Sequence, residues 1–280
     1  MRPSTTWQCY LSHVVKPIRT HPTNALAAEA WVEVREPLDR QLSPLGLRAI
    51  EVLAARSGEV IVDVGCGTGQ TVLQLAEKVG PHGRVIGVDI APLVLDAARE
   101  RAGGLEGVSF IETDAAVLDL PEASIDAFFS RFGVMAFPQP VAAFSNFRRL
   151  LKPTGRLAFV CWRSLEENEL DLLPLQAAGL EHLVDPTPFS FEDPNYLRTT
   201  LETAGFMEVA IDANDQAVTS GDLEAMATLL LRVGPLGRII RENPELRTDA
   251  EPRVRAALIT KGDTTHVSLR AATWIVSARA

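Results

Sequence analysis

Between Val60 and Trp162 five short apolar runs alternate with helical stretches, and this rhythm limits the folds open to the chain. The runs are Val60–Val64, Val85–Val88, Val108–Ile111, Ile125–Ser130 and Arg156–Trp162. Short continuous apolar runs bounded by turn residues suit strands covered on both faces. Between them Thr71–Val79 places Val72, Leu75, Ala76 and Val79 on one side. Pro92–Arg101 has proline in its first turn, and Val141–Leu151 has to stop before Pro153, with Lys152-Pro-Thr-Gly155 as the following turn. A βα alternation of this kind gives a doubly wound, mostly parallel sheet with helices on its faces.

The remaining segments complete the expectation. Residues 24–56 read as helical, capped by Asn24, with Pro44 opening a second helical piece. Residues 164–192 hold three prolines among apolar residues and read as an insertion over one edge of the sheet. Asp193-Pro194 starts a helix that ends at Gly205. Phe206–Ile211 is a sixth strand, residues 221–260 are helical, and Thr265–Ala278 alternates as a final, antiparallel strand. The expected fold is thus α/β: seven strands, N-terminal helices, and a helical insertion covering the crevice at one end of the sheet. Residues 1–23 are set aside as a tail without fixed structure. The first 28 residues contain no Asp or Glu, but their apolar piece Cys9–Val15 is too broken for a secretion signal.

Composition narrows the partners. Of the 280 residues 46% are hydrophobic and 22% charged, the balance of an ordinary globular chain. The net charge of -9 argues against a nucleic-acid binder. No apolar run reaches the roughly 20 residues of a membrane span. Cys9, Cys66 and Cys161 are far apart and odd in number, which points to a reducing cytoplasm. The five histidines lack ligand spacing, so no metal site is expected.

The first strand runs into Val62-Asp-Val-Gly-Cys-Gly-Thr-Gly-Gln70. A dinucleotide fingerprint needs G-x-G-x-x-G, and Gln70 stands where its third glycine belongs. The lysine of a phosphate-binding G-x-x-x-x-G-K-[ST] loop is also missing. Asp63, just before the loop, would repel a pyrophosphate but can receive an ammonium. Strand two ends Gly87-Val-Asp89-Ile90, where a carboxylate can accept both ribose hydroxyls. Strand three ends Glu112-Thr-Asp114-Ala115, strand four at Ser130-Arg131, and strand five at Trp162-Arg163. Ligands of open α/β sheets bind outside those strand ends. The diol-accepting carboxylate at Asp89 is common to dinucleotide and adenosine cofactors.

The stretch Asp63-Val-Gly65-Cys-Gly67-Thr-Gly69 resembles motif I, [DE]-x-G-x-G-x-G, of the class I S-adenosylmethionine-dependent methyltransferases. Ser130-Arg-Phe-Gly-Val-Met135 and Arg149-Leu-Leu-Lys-Pro-Thr-Gly-Arg156 look like the branch related to ubiquinone/menaquinone-biosynthesis and small-molecule methyltransferases, which often has Pro-Gly-Gly at Pro153-Thr-Gly155. The resemblance covers about residues 24–212. It implies a Rossmann-like fold, S-adenosyl-L-methionine as cofactor and S-adenosyl-L-homocysteine as product. It implies cofactor contacts at Asp63, Gly65, Cys66, Gly67, Thr68, Gly69, Asp89, Ile90, Asp114, Ala115, Ser130 and Arg131, with Asp114 receiving the adenine amino group. A cap or turn aspartate is the plainer reading of Asp114, and a structural ion pair that of Arg131.

Methyl transfer from a sulfonium is an in-line displacement that needs positioning and a dry site more than fixed catalytic groups. No residue is therefore assigned as catalytic. His182 and Asp185 are candidate bases, with solvated surface as the plainer reading. Trp31, Phe132, Met135, Phe137 and Trp162 are candidate acceptor neighbours if the N-terminal helix covers the crevice, with ordinary core as the alternative. The [DNS]-P-P-[YFW] stretch of amino-methylating DNA enzymes and the Pro-Cys pair of cytosine-C5 enzymes are both missing. The expectation is a cytoplasmic monomer or homodimer that methylates a small molecule, without nucleic acid or stable membrane association. A non-catalytic protein that binds the same cofactor and a nicotinamide-dependent oxidoreductase remain as alternatives, the latter weakened by Gln70 and the lack of a Tyr-x-x-x-Lys pair.

Overall fold

The computed structural model describes residues 22–280. The expected tail, residues 1–23, lies almost wholly outside them. The described residues open with helices α1 (Pro22–Glu33) and α2 (Arg35–Leu53). It then alternates β1 (Val60–Val64), α3 (Gln70–Val79), β2 (Arg84–Asp89), α4 (Pro92–Ala102), β3 (Val108–Glu112), β4 (Ile125–Arg131), α5 (Pro140–Leu150) and β5 (Leu151–Trp162). After β5 come α6 (Glu169–Ala178), α7 (Pro194–Thr203), β6 (Met207–Gly221), α8 (Leu223–Leu230), α9 (Gly234–Glu242), α10 (Arg247–Ile259) and β7 (Val267–Arg279).

The seven strands form one sheet in the order β3-β2-β1-β4-β5-β7-β6. The pairs from β3 to β5 are parallel, and β7 runs antiparallel to both of its neighbours. The strand order reverses between β1 and β4, which puts the ligand crevice outside their C-terminal ends. Alternation along each strand feeds two core layers. Ile61, Ala127, Phe129, Ala158 and Val160 pack under α2 and α3. Val62, Val64, Phe128, Phe159 and Cys161 pack under α5 and α7. Asp63 and Arg131 fall in register on the first of these faces, whereas Ser130 falls on the second.

Four points differ from the sequence expectation. The N-terminal helical region breaks at Val34, not at Pro44, because Pro37 occupies the first turn of α2 while Pro44 is carried inside it. A proline in a first turn removes only an orphan donor, so the break falls just before it. Asn24 lies within α1 rather than capping it. The Lys152–Gly155 turn is enclosed in β5, as a shift in register that pairs Leu151 with Ile125 and Arg156 with Ala127. β6 runs on past Ile211 to Gly221.

That extension shapes the site. β5 ends at Trp162, opposite Thr273, but β6 and β7 stay paired out to Gly221 and Val267. The resulting two-stranded ribbon projects past the C-terminal edge of the parallel strands. Asn168 ties the insertion to it, its side chain bonding both the N–H and the C=O of Ala272. Arg40 reaches the carbonyl of Ser220 at 3.3 Å, and Gln41 the Ser220 hydroxyl at 3.0 Å, so α2 fastens to the ribbon tip. None of the described helices is long and apolar enough to cross a membrane.

Candidate functional site

The loop between β1 and α3 is held by its own backbone. Gly65 N–H and Cys66 N–H both donate to the Val88 carbonyl of β2, at 2.8 and 3.1 Å. Gly69 N–H donates back to the Cys66 carbonyl at 3.0 Å. Gly65, Gly67 and Gly69 have φ of +68°, +53° and +84°, a region where a Cβ is strained. At Gly65 the requirement is also one of space, because a Cβ there would lie 2.6 Å from the Gly133 Cα. At Gly67 a Cβ would meet nothing within 4 Å, so this rim of the loop faces open space.

Asp89 closes the loop from β2. One carboxylate oxygen accepts from Gly67 N–H and the other from Ala91 N–H, both at 3.0 Å. A carboxylate offers about four acceptor positions, so these bonds leave room for a diol. Burial raises the Asp89 carboxyl above its usual range, against the pull of its backbone donors. Ile90 beside it is exposed. Asp114 caps the short 3-10 turn Ala115–Val117, accepting from Ala116 N–H at 2.8 Å, and buries Ala115. The cap reading of Asp114 is therefore fulfilled, through one oxygen, Oδ1.

Asp63 differs from its expected place at the cleft edge. It is wholly buried, because α3 begins directly after the loop and Thr71 folds back over it. The Thr71 hydroxyl donates to Oδ2 at 2.5 Å, whereas Oδ1 is buried without a hydrogen-bond partner. Burial pushes the Asp63 carboxyl up to about 7, against the Thr71 bond and the Arg131 charge, with Asp89 adding repulsion. Cys66 and Thr68 are buried too, and burial raises the Cys66 thiol well above its usual range.

Ser130 and Arg131 also turn inward, since strand alternation sends them to opposite faces of the sheet. The buried Ser130 hydroxyl donates to the Val64 carbonyl at 2.7 Å and accepts from Gly133 N–H at 3.0 Å, stitching the ends of β1 and β4 together. Arg131 donates to Gln70 Oε1 at 2.6 Å and lies 3.7 Å from Asp39. Burial lowers the Arg131 guanidinium from its usual range, while Asp39 and Asp63 favour its charge. Asp39 and Gly133 are members of this cluster that the sequence reading did not single out, and Gln70, noted there only as a departure from a dinucleotide fingerprint, is a third.

The candidate acceptor neighbours separate. Phe132 and Trp162 stack at the ends of β4 and β5, ring centroids 4.0 Å apart. Phe132 has φ of +64°, a costly conformation for a non-glycine residue and one that gathers at binding sites. Phe137 packs edge-on against Phe144 and Phe147 in the core, and Met135 is buried. Trp31 is partly exposed on α1. His182 is exposed, and Asp185 is engaged by Thr187 and Arg238.

Comparison with known proteins then gives the family. The "Methyltransferase domain" family model matches residues 55–190. The aklanonic acid methyltransferase DauC of Streptomyces sp. (strain C5) is 35% identical over 119 residues, 42% of this chain and 54% of that protein. The nocamycin O-methyltransferase of Saccharothrix syringae is 32% identical over 202 residues, 65% of this chain and 71% of that protein. The chain belongs to the S-adenosylmethionine-dependent methyltransferases. The match spans only about half of the first of these relatives. A Haemonchus contortus phosphoethanolamine N-methyltransferase 2, solved with phosphomonomethylethanolamine and S-adenosylhomocysteine, shares the fold with a TM-score of 0.58 at 17% identity, over 92% of this chain and 57% of that one.

The residues present fit the family's cofactor. Asp63 offers an unpaired buried carboxylate oxygen beneath the loop, Gly67 borders open space, and Asp89 keeps acceptor capacity beyond its bonds to Gly67 N–H and Ala91 N–H.

Proposed function

We propose that residues 24–280 act as one domain that transfers a methyl group from S-adenosylmethionine to a small-molecule acceptor. The observation that carries this reading is Asp89. Its carboxylate is pinned by Gly67 N–H and Ala91 N–H at the rim of a loop whose Gly67 edge is open. Around it the acidic groups suit an amino acid, a ribose diol and a purine amine, and disfavour a diphosphate. Asp89 and Asp114 supply direct contacts to the sugar and base. Asp63 acts from below through its field or a bridging water, since its oxygens do not reach the surface.

The bound cofactor supplies an activated methyl on a sulfonium. The protein's part is to hold the acceptor in line and keep water out. The Phe132–Trp162 stack forms the floor for the acceptor, and the β6–β7 ribbon with α6 and α8 its roof. An apolar floor suits a small, largely apolar acceptor, and the O-methyltransferase among the relatives supports an oxygen nucleophile. We place the enzyme in the cytoplasm as a monomer or homodimer, without nucleic-acid or membrane partners. The test is incubation of the full chain with methyl-labelled S-adenosylmethionine and fractionated small-molecule extracts. Label should pass to a small organic product; label retained in the cofactor across all fractions, despite cofactor binding, contradicts transfer and favours a binding protein.

A further inference from the structure

Asp39 lies far from the glycine loop in sequence, yet it joins the elements that build it. Its Oδ2 pairs with Arg101 of α4 at 2.7 Å, and its Oδ1 lies 3.7 Å from Arg131 at the end of β4. Arg131 in turn donates to Gln70, the first residue of α3, and the Gln70 side-chain amide returns to the Asp39 carbonyl at 3.5 Å. The Asp39 and Arg131 side chains are 13% and 12% exposed, so water screens these charges only weakly. Two guanidinium groups share one carboxylate, and without it they would repel each other across the cluster. The same turn of α2 is fixed on its other side by Gln41, which bonds the buried Ser220 hydroxyl. Asp39 is thus held by a helix that cannot easily drift.

The consequence reaches the loop through two residues. Arg131 precedes Phe132, held at φ +64°, and Gly133, whose Cα packs against Gly65. We infer that Asp39 and Arg131 are positioning residues for the cofactor: they do not touch it, but lock the start of α3 and the end of β4 so that the Gly65–Gly69 loop keeps its binding shape. This inference rests on the cofactor reading above.

The experiment is titration calorimetry of the full chain with S-adenosylhomocysteine, well below the melting transition, with amide exchange read over Cys66–Gly69. Asp39→Asn should bind about ten-fold more weakly or worse and exchange faster in the loop, because a buried charge pair loses one partner. Asp39→Glu, which keeps the charge, should recover most of the affinity. Glu36→Gln, exposed on the same helix, is the control and should match the wild type. A merely structural role would lower the melting temperature and leave affinity and loop exchange alone. Should Asp39→Asn fail to fold, Gln70→Ala removes the Arg131 partner instead and should weaken binding by about ten-fold, the lower end of the worth of one hydrogen bond to a charged group. Wild-type binding with affinities of the folded variants within two-fold of it overturns this inference alone. No binding by the wild type overturns the cofactor reading and this inference with it.

Discussion

Adding one methyl group at Gly65 or at Gly67 separates what the loop needs to fold from what it needs to bind. Both residues are left-handed, which costs an alanine about 1–2 kcal/mol. At Gly65 the added Cβ also lies 2.6 Å from backbone that cannot yield, the Gly133 Cα. Overpacking of that kind adds about 1–3 kcal/mol. Gly65→Ala should therefore lose about 2–5 kcal/mol and Gly67→Ala about 1–2 kcal/mol. At about 2 °C per kcal/mol for a chain of this size, the melting temperature should fall by about 4–10 °C and 2–4 °C respectively. Affinity should rank differently. The Gly67 methyl enters the open space assigned to the cofactor, so Gly67→Ala should bind S-adenosylhomocysteine about 10–100-fold more weakly while staying well folded. Scanning calorimetry and isothermal titration on both variants give the comparison. The reasoning is refuted if Gly67→Ala binds as well as the wild type, or if Gly65→Ala is no less stable than Gly67→Ala.

Three other outcomes follow from the same geometry. Asp89→Ala removes the acceptor for the ribose hydroxyls; at about 1.5–3 kcal/mol per bond to a charged group, S-adenosylhomocysteine affinity should drop by about 100-fold or more in a titration. Ser130→Ala leaves the Val64 carbonyl and Gly133 N–H without their shared partner, so chemical denaturation should show a loss of about 1–3 kcal/mol. Asp171 is buried on α6 with Oδ2 unpartnered, and burial pushes its carboxyl up to about 7. Its folded value lies above its unfolded one, so the folded state holds the extra proton and stability falls as pH rises from about 4 to about 7, by about 1.4 kcal/mol per unit. Melting curves of Asp171→Asn against pH should show a gain over wild type that is largest above pH 7 and shrinks toward pH 4; a pH-independent difference contradicts the buried carboxylate.

The sheet was readable from the sequence because its parallel strands are covered on both faces. Val60–Val64 and Val85–Val88 are short apolar runs, broken only by Asp63 and Gly87, and a buried strand fits that length and composition. The β6 extension was not readable: Asp212, Asn214 and Gln216 give no apolar run, since that part of the strand is held by ladder bonds to β7 rather than by a buried face. The break at Val34 was misplaced onto Pro44 because one proline inside a helix costs a single bond that the packing of Leu42, Leu45 and Ala49 outweighs. The glycines and the acidic strand ends were legible because their spacing carries the chemistry. The inward turn of Asp63, Ser130 and Arg131 was not, since it depends on Thr71, Gly133 and Asp39, partners brought near only by the fold. Asp63 accordingly lies wholly buried beneath the loop.

The central claim concerns which ligand the crevice takes. Titration of the full chain with S-adenosylhomocysteine and, side by side, with NAD decides it most directly. The account predicts saturable heat at one site per chain with the adenosyl amino acid and none with NAD. Heat with NAD, and silence with S-adenosylhomocysteine, would contradict it.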